Sequence, residues 1–85
     1  MHTIEIYTTP YCPYCVRAKA LLASKGVEYS ETDVSGDGDL RDAMTERAGG
    51  RRSVPQIFIN DRHVGGCDDL HALDARGELD PLLHG

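Results

Sequence analysis

The sequence predicts an α/β fold, a three-layer α/β/α sandwich around one four-stranded mixed sheet, with elements in the order β-α-β-α-β-β-α. Three observations lead there. Thr3–Thr8 (TIEIYT) and Gln56–Asn60 (QIFIN) are short runs rich in β-formers, whereas other stretches space their apolar residues as a helix does. The first strand, helix and second strand together have the length that a right-handed parallel crossover needs. The last two strands are joined by a tight turn, which makes them antiparallel.

Taken in order, Thr3–Thr8 puts Ile4 and Ile6 on one face with Glu5 between them. From Pro13 to Lys25, the residues Cys15, Ala18 and Leu22, with Val16, Ala20 and Ala23 beside them, fall at helical spacing. Pro13 suits a first helical position, where its missing N–H would have had no partner, and Gly26 suits a stop. Val27–Val34 alternates weakly around Val27 and Tyr29 and is short enough to be the second strand. Ser35–Asp39 (SGDGD) is a turn that leaves acids at a helix start, where the positive end of the helix dipole favours them. Leu40, Ala43, Met44 and Ala48 follow at helical spacing, and Gly49 and Gly50 end that helix. Gln56–Asn60 is the most strand-like segment, and Asn60–Arg62 connects it to His63, Val64 and Gly65 in a hairpin. Asp68 and Asp69 are candidate caps for a helix carrying Leu70 and Leu73, which Gly77 interrupts before a last turn around Leu79, Leu82 and Leu83.

The length of 85 residues suits one domain over 1–85, and 40% hydrophobic residues supply material for one core. A net charge of −5, with Arg51 and Arg52 the only adjacent basic pair, argues against nucleic acid as a partner. No apolar stretch approaches the ~20 residues of a membrane span, and MHTIEIYTTP lacks the basic-then-apolar pattern of a secretory leader. A cytoplasmic monomer without a membrane partner is expected.

Three cysteines is an odd number, and Cys12 and Cys15 are only three positions apart, so the thiols look chemical rather than architectural. They sit where the first strand ends and the first helix begins, both sulfurs on nearly the same side. Unpaired backbone N–H groups and the helix dipole stabilise an anionic sulfur at such a place. Cys12 precedes the helix and is expected to be the exposed, attacking sulfur. Cys15 faces the first turn and is expected to be the buried, resolving one. A zinc site would need two more ligands, and Cys67, His2, His63, His71 and His84 form no second close pair. A structural disulfide across so small a loop would constrain few residues. The strand–CxxC–helix context favours thiol–disulfide exchange over both.

Cys12-Pro13-Tyr14-Cys15, Ser53-Val54-Pro55 ahead of QIFI, and Gly65-Gly66-Cys67-Asp68-Asp69 together resemble the glutaredoxins, along essentially the whole chain. The small bacterial dithiol glutaredoxins, with a thioredoxin-like fold and glutathione as co-substrate, are the nearest likeness. Thioredoxin itself fits less well, because the chain is short, has no Trp, and carries Pro-Tyr rather than Gly-Pro between its cysteines. The resemblance implies that Pro55 is a cis-proline facing the cysteine pair and turning the Val54 backbone toward the substrate. It implies that glutathione lies along Tyr14, Ser53, Val54, Pro55 and the Gly66-Cys67-Asp68 turn. Backbone groups of Val54 would pair with the extended tripeptide, N–H groups at the following helix start would hold its γ-glutamyl carboxylate, and Asp68 its ammonium. Similar glutaredoxins often carry a Lys before the first cysteine to meet the glycine carboxylate; Thr9 stands there, and Arg52 is expected to supply the charge. Cys67 is read as a small residue lining the groove, and the histidines as surface or packing residues.

What the resemblance implies as activity is a glutathione-dependent disulfide oxidoreductase. Its substrates are glutathionylated and disulfide-containing proteins, with ribonucleotide reductase as an implied client, and no metal is expected. Two alternatives stay open at this point. One is a redoxin reduced by thioredoxin reductase; the other is an iron–sulfur carrier whose cluster bridges two chains through Cys12 and glutathione.

Overall fold

The computed structural model describes residues 3–84. Strand β1 (Ile4–Thr8) is followed by helix α1 (Pro13–Ser24), strand β2 (Ser30–Asp33), helix α2 (Gly38–Arg47), strands β3 (Gln56–Ile59) and β4 (Arg62–Gly65), and helices α3 (Cys67–Ala75) and α4 (Leu79–His84). The sheet order is β2-β1-β3-β4, with β1 parallel to β2 and antiparallel to β3, and β4 antiparallel to β3.

Alternation along the two central strands decides which helix goes where. In the β1–β3 ladder Ile4 stands opposite Ile59 and Ile6 opposite Ile57, so four branched side chains share one face. Against that face pack Ala18 and Leu22 of α1, Cys67 and Leu70 of α3, and Leu79 and Leu83 of α4, all buried. The intervening residues Glu5, Tyr7 and Phe58 point the other way. There Arg47 of α2 lies over the Phe58 ring at 3.9 Å, bonds Glu5 at 2.6 Å and reaches the Tyr7 hydroxyl at 3.2 Å. With helices on both faces, the three-layer sandwich expected from the sequence is the observed fold.

The local signals act largely as expected. Pro13 opens α1, and Gly26, at φ 72°, lets the chain leave it. Asp37 caps α2 by accepting from the Leu40 N–H at 3.0 Å. Asn60 and Asp61, both at positive φ, form the two-residue turn between β3 and β4. A register shift between Ile57 and Phe58 leaves Val64 without an opposing residue, and the chain passes from there into Gly65 and Gly66. A side chain at Gly65 would collide with the Asp69 carboxylate and the Arg51 guanidinium, and φ there is 120°. Glycine is required at that position.

Three expectations are corrected. The second strand is confined to Ser30–Asp33 rather than Val27–Val34, because its ladder with β1 begins at Glu5↔Ser30 and residues 27 and 28 have no strand beside them. Val27 and Tyr29 still pack against the core from the connecting segment. In α2 only Met44 is buried, with Ala48 just beyond it, whereas Leu40 is 39% exposed and Ala43 is also exposed. The helix meets the sheet through Arg47 instead of a continuous apolar stripe. The N-cap of α3 is Gly66, ahead of both Asp68 and Asp69.

The Arg47 contacts lead to a stability prediction. Arg47→Met keeps an aliphatic stem over Phe58 but removes a charge-assisted pair and a cation–π contact, so unfolding should cost roughly 1.5–3 kcal/mol less near neutral pH. Its hydrogen bond to Glu5 holds that carboxyl below the ordinary 4.5, outweighing the upward push of burial. A depressed carboxylate adds stability above its unfolded pKa and loses it as pH falls through the folded value. The gap between wild type and variant should therefore narrow below about pH 4. Denaturant titrations at neutral and strongly acid pH check this, and an unchanged gap would exclude the ion pair as its source.

Candidate active site

Cys12 is the N-cap of α1, and its Sγ accepts a hydrogen bond from the Cys15 N–H at 3.1 Å. That N–H belongs to the first turn and has no partner inside the helix. The sulfur is half-buried and lies 4.0 Å from the Val54 carbonyl oxygen, while Tyr11 just before it is fully exposed at φ 60°. Cys15 is 1% exposed. Burial, and then the Cys12 sulfur beside it, push the Cys15 thiol up to about 12. All three thiols are free. Cys12 is therefore the more accessible sulfur and Cys15 the buried one, in the order expected, although Cys12 is half-buried rather than exposed.

A groove of about 200 Å³ opens beside this pair. One wall is Tyr14 with Ser53, Val54 and Pro55, the Val54–Pro55 bond being cis. The other is Gly66, Cys67, Asp68 and Asp69 at the start of α3, with Arg51 at the same groove. Cys12 and Cys15 do not line it; Cys12 meets its rim through the Val54 carbonyl.

Every expected groove residue except Arg52 is brought together there. Arg52 instead pairs with Asp42 at 2.7 Å, and its carbonyl accepts from Arg41 at 2.9 Å. Arg51 occupies the groove and bonds Asp69 at 3.0 Å. Adjacent side chains in an extended segment point to opposite sides, so only one of the two arginines reaches the groove, and it is Arg51.

The two acids of α3 have separate tasks. Asp69 accepts from the Gly66 N–H at 2.9 Å, and that bond, ahead of the Arg51 contact, holds its carboxyl below the ordinary range. Gly66 has no side chain to return the favour, so no side chain caps the first-turn N–H groups of α3. Asp68 is exposed and makes no hydrogen bond or ion pair with another described residue.

Cys67 is 4% exposed, and burial raises its thiol above the ordinary value. His71 Nδ1 lies 2.9 Å from the Cys67 carbonyl oxygen, to which it donates. His63 is hydrogen-bonded to Gln56, His84 is exposed, and His2 lies outside the described residues. Among the described residues no group of three or more His, Cys, Asp or Glu side chains is arranged to hold a metal ion. Nor is any described helix long and apolar enough to cross a membrane.

The glutaredoxin family model matches residues 4–64, from β1 into β4. The chain belongs to the glutaredoxin family. Glutaredoxin 3 of Escherichia coli K12 is 60% identical over 83 residues, covering 98% of this chain and 99% of that protein. The solution structure of a glutaredoxin from Brucella melitensis is 59% identical, with a TM-score of 0.84 over 95% of this chain and 87% of that one. A buckwheat glutaredoxin crystallised with glutathione is 30% identical, with a TM-score of 0.87 over 96% of this chain and 76% of that one. As a glutaredoxin, the chain has a thioredoxin-like fold, a redox-active cysteine pair and thiol–disulfide oxidoreductase chemistry.

Proposed function

We propose that this glutaredoxin is glutathione-dependent and that its groove holds the glutathione half of a mixed disulfide with the sulfur beside Cys12. One observation carries the reading: the N-terminus of α3, uncapped by any side chain, opens onto a groove whose opposite wall contacts the Cys12 sulfur. First-turn N–H groups of Cys67 and Asp68 suit the γ-glutamyl carboxylate. The exposed Asp68 carboxylate suits the ammonium, and the Val54 backbone can pair with the extended tripeptide as an added strand. Arg51, rather than Arg52, is the cation at the groove, and beside the start of α3 it adds positive charge for a carboxylate of the tripeptide. That buckwheat glutaredoxin was crystallised with glutathione supports the same ligand here.

In the proposed reaction the Cys12 thiolate attacks the glutathione sulfur of a protein–glutathione disulfide. The old S–S bond breaks, its electron pair leaves with the protein sulfur, and that thiolate takes up a proton. A glutathione thiolate then attacks the Cys12–glutathione disulfide, which releases oxidised glutathione and restores Cys12. With a protein disulfide, Cys12 forms the mixed disulfide and Cys15 displaces the client, leaving a Cys12–Cys15 bond for glutathione to reduce. Clients are glutathionylated and disulfide-containing proteins, with ribonucleotide reductase among those the family likeness implies.

Turnover of a small glutathione mixed disulfide, assayed separately with a glutathione-regenerating system and with thioredoxin reductase, tests the proposal. Glutathione should sustain turnover. Turnover sustained by thioredoxin reductase alone would overturn it.

A further inference from the structure

Gln56 opens β3 directly after the cis-proline, and it is fully buried, one of two buried polar residues among those described. A buried primary amide is costly unless its donors and acceptor are used, and the bonding of Gln56 explains its place. Its Nε2 donates to the Ser53 carbonyl at 2.9 Å and lies 3.4 Å from the Ser53 hydroxyl. A carbonyl can only accept, so the amide nitrogen has to face Ser53 and the amide oxygen has to face away from it. That oxygen meets His63 Nε2 at 2.7 Å, so Nε2 carries the proton.

His63 is itself fixed. Its ring packs on Phe58 with centroids 5.0 Å apart. Burial first, and then the charges of Arg51 and Arg47, lower its pKa, against an opposing pull from Asp69. The neutral ring therefore has a single N–H, and that N–H is committed to Gln56.

We propose that His63 and Gln56 are positioning residues for the glutathione groove. His63 holds the Gln56 amide in one orientation, and the amide holds the Ser53 carbonyl, which sets the Val54 backbone against Cys12. Neither residue lines the groove. The inference rests on the glutathione reading above and adds to it the device that keeps one wall ready before the ligand arrives. Without the His63 donor the amide is held only through its nitrogen, its buried oxygen is left unpaired, and the segment ahead of Val54 samples orientations that cannot pair with an extended peptide.

The test compares His63→Phe, His63→Gln and Gln56→Met with wild type. Phe keeps the packing on Phe58 and removes the donor. Gln carries an N–H about as far from the backbone as His Nε2. Met matches Gln56 in length and loses both bonds. In His63→Phe, KM for a small glutathione mixed disulfide should rise roughly five- to tenfold, the effect of one buried hydrogen bond lost, and in Gln56→Met, which loses two, at least as much. kcat and the rate of Cys12 alkylation by iodoacetamide should stay within about twofold, since the residues act on binding. Backbone amides of residues 51–54 should exchange with deuterium faster, and His63→Gln should recover both KM and exchange.

A KM within twofold of wild type, with unchanged exchange, overturns the proposal even if thermal stability falls, because the pair is then only structural. Failure of His63→Gln to recover either readout overturns it as well. The exchange measurement needs no glutathione. If wild type turned over with thioredoxin reductase alone, the glutathione reading would fail while exchange still reported on the positioning.

Discussion

Cys12→Ser is expected to reduce thiol–disulfide exchange to background with every disulfide substrate, a fall on the order of a thousandfold or more, as for loss of a covalent nucleophile. Cys15→Ser should keep turnover of glutathione mixed disulfides and lose reduction of protein disulfides. The asymmetry follows from exposure. Cys12 is half-buried at the start of α1, with a backbone N–H aimed at its sulfur, whereas Cys15 is 1% exposed. With its thiol pushed up to about 12, Cys15 has almost no thiolate at neutral pH and cannot reach an outside disulfide.

Resolution is a different situation. Part of what raises Cys15 is the Cys12 sulfur itself, through its hydrogen bond and its charge. Once Cys12 is tied up in a mixed disulfide that charge is gone, and Cys15 loses its proton more easily next to the bond it attacks. Deglutathionylation needs no such step, since free glutathione collects the second half. Mass spectrometry after brief iodoacetamide treatment near neutral pH should find the label on Cys12, with Cys15 and the buried Cys67 unmodified. Equal loss of deglutathionylation in both serine variants, or labelling of Cys15 first, would remove the assignment of roles.

Much of this arrangement was legible in the residues. Two-residue alternation in IEIYT and QIFI identifies the central strands and the face that receives α1, α3 and α4, because burial acts on each side chain separately. Pro13 and Gly26 mark the ends of α1 through backbone geometry that no tertiary contact needs to alter. What escaped depends on partners distant in the chain. The length of β2 is set by where β1 begins, not by its own residues. Arg47 covers Phe58 with a cation, which a search for apolar spacing passes over in favour of Leu40 and Ala43. Assigning the α3 cap to Asp68 or Asp69 missed that Gly66 can begin the helix and that Asp69 reaches back to its N–H. Arg51 and Arg52 are adjacent and chemically alike, and only the direction of the chain through Ser53 and Val54 separates the one at the groove from the one on Asp42.

Asp68→Asn is expected to lower kcat/KM for glutathione mixed disulfides by roughly tenfold to a hundredfold, because a charge-assisted hydrogen bond to the ammonium contributes about 1.5–3 kcal/mol. The substitution is nearly isosteric and leaves the helix start alone, since the Gly66 N–H is already taken by Asp69. Asp68 is exposed and makes no bond or ion pair with another described residue, so removing its charge breaks nothing inside the protein. The same exposure screens the ligand contact and draws the effect toward tenfold. Asp69→Asn is the informative comparison. It weakens the contacts to Gly66 and Arg51 that hold the second wall, so it should lower thermal stability as well as turnover, whereas Asp68→Asn should lower turnover alone. Cys12 alkylation should be nearly unchanged in Asp68→Asn, because the carboxylate acts on the substrate and not on the nucleophile. An unchanged kcat/KM would mean that the ammonium is held elsewhere, and alkylation slowed as much as turnover would mean that Asp68 influences the sulfur through its field.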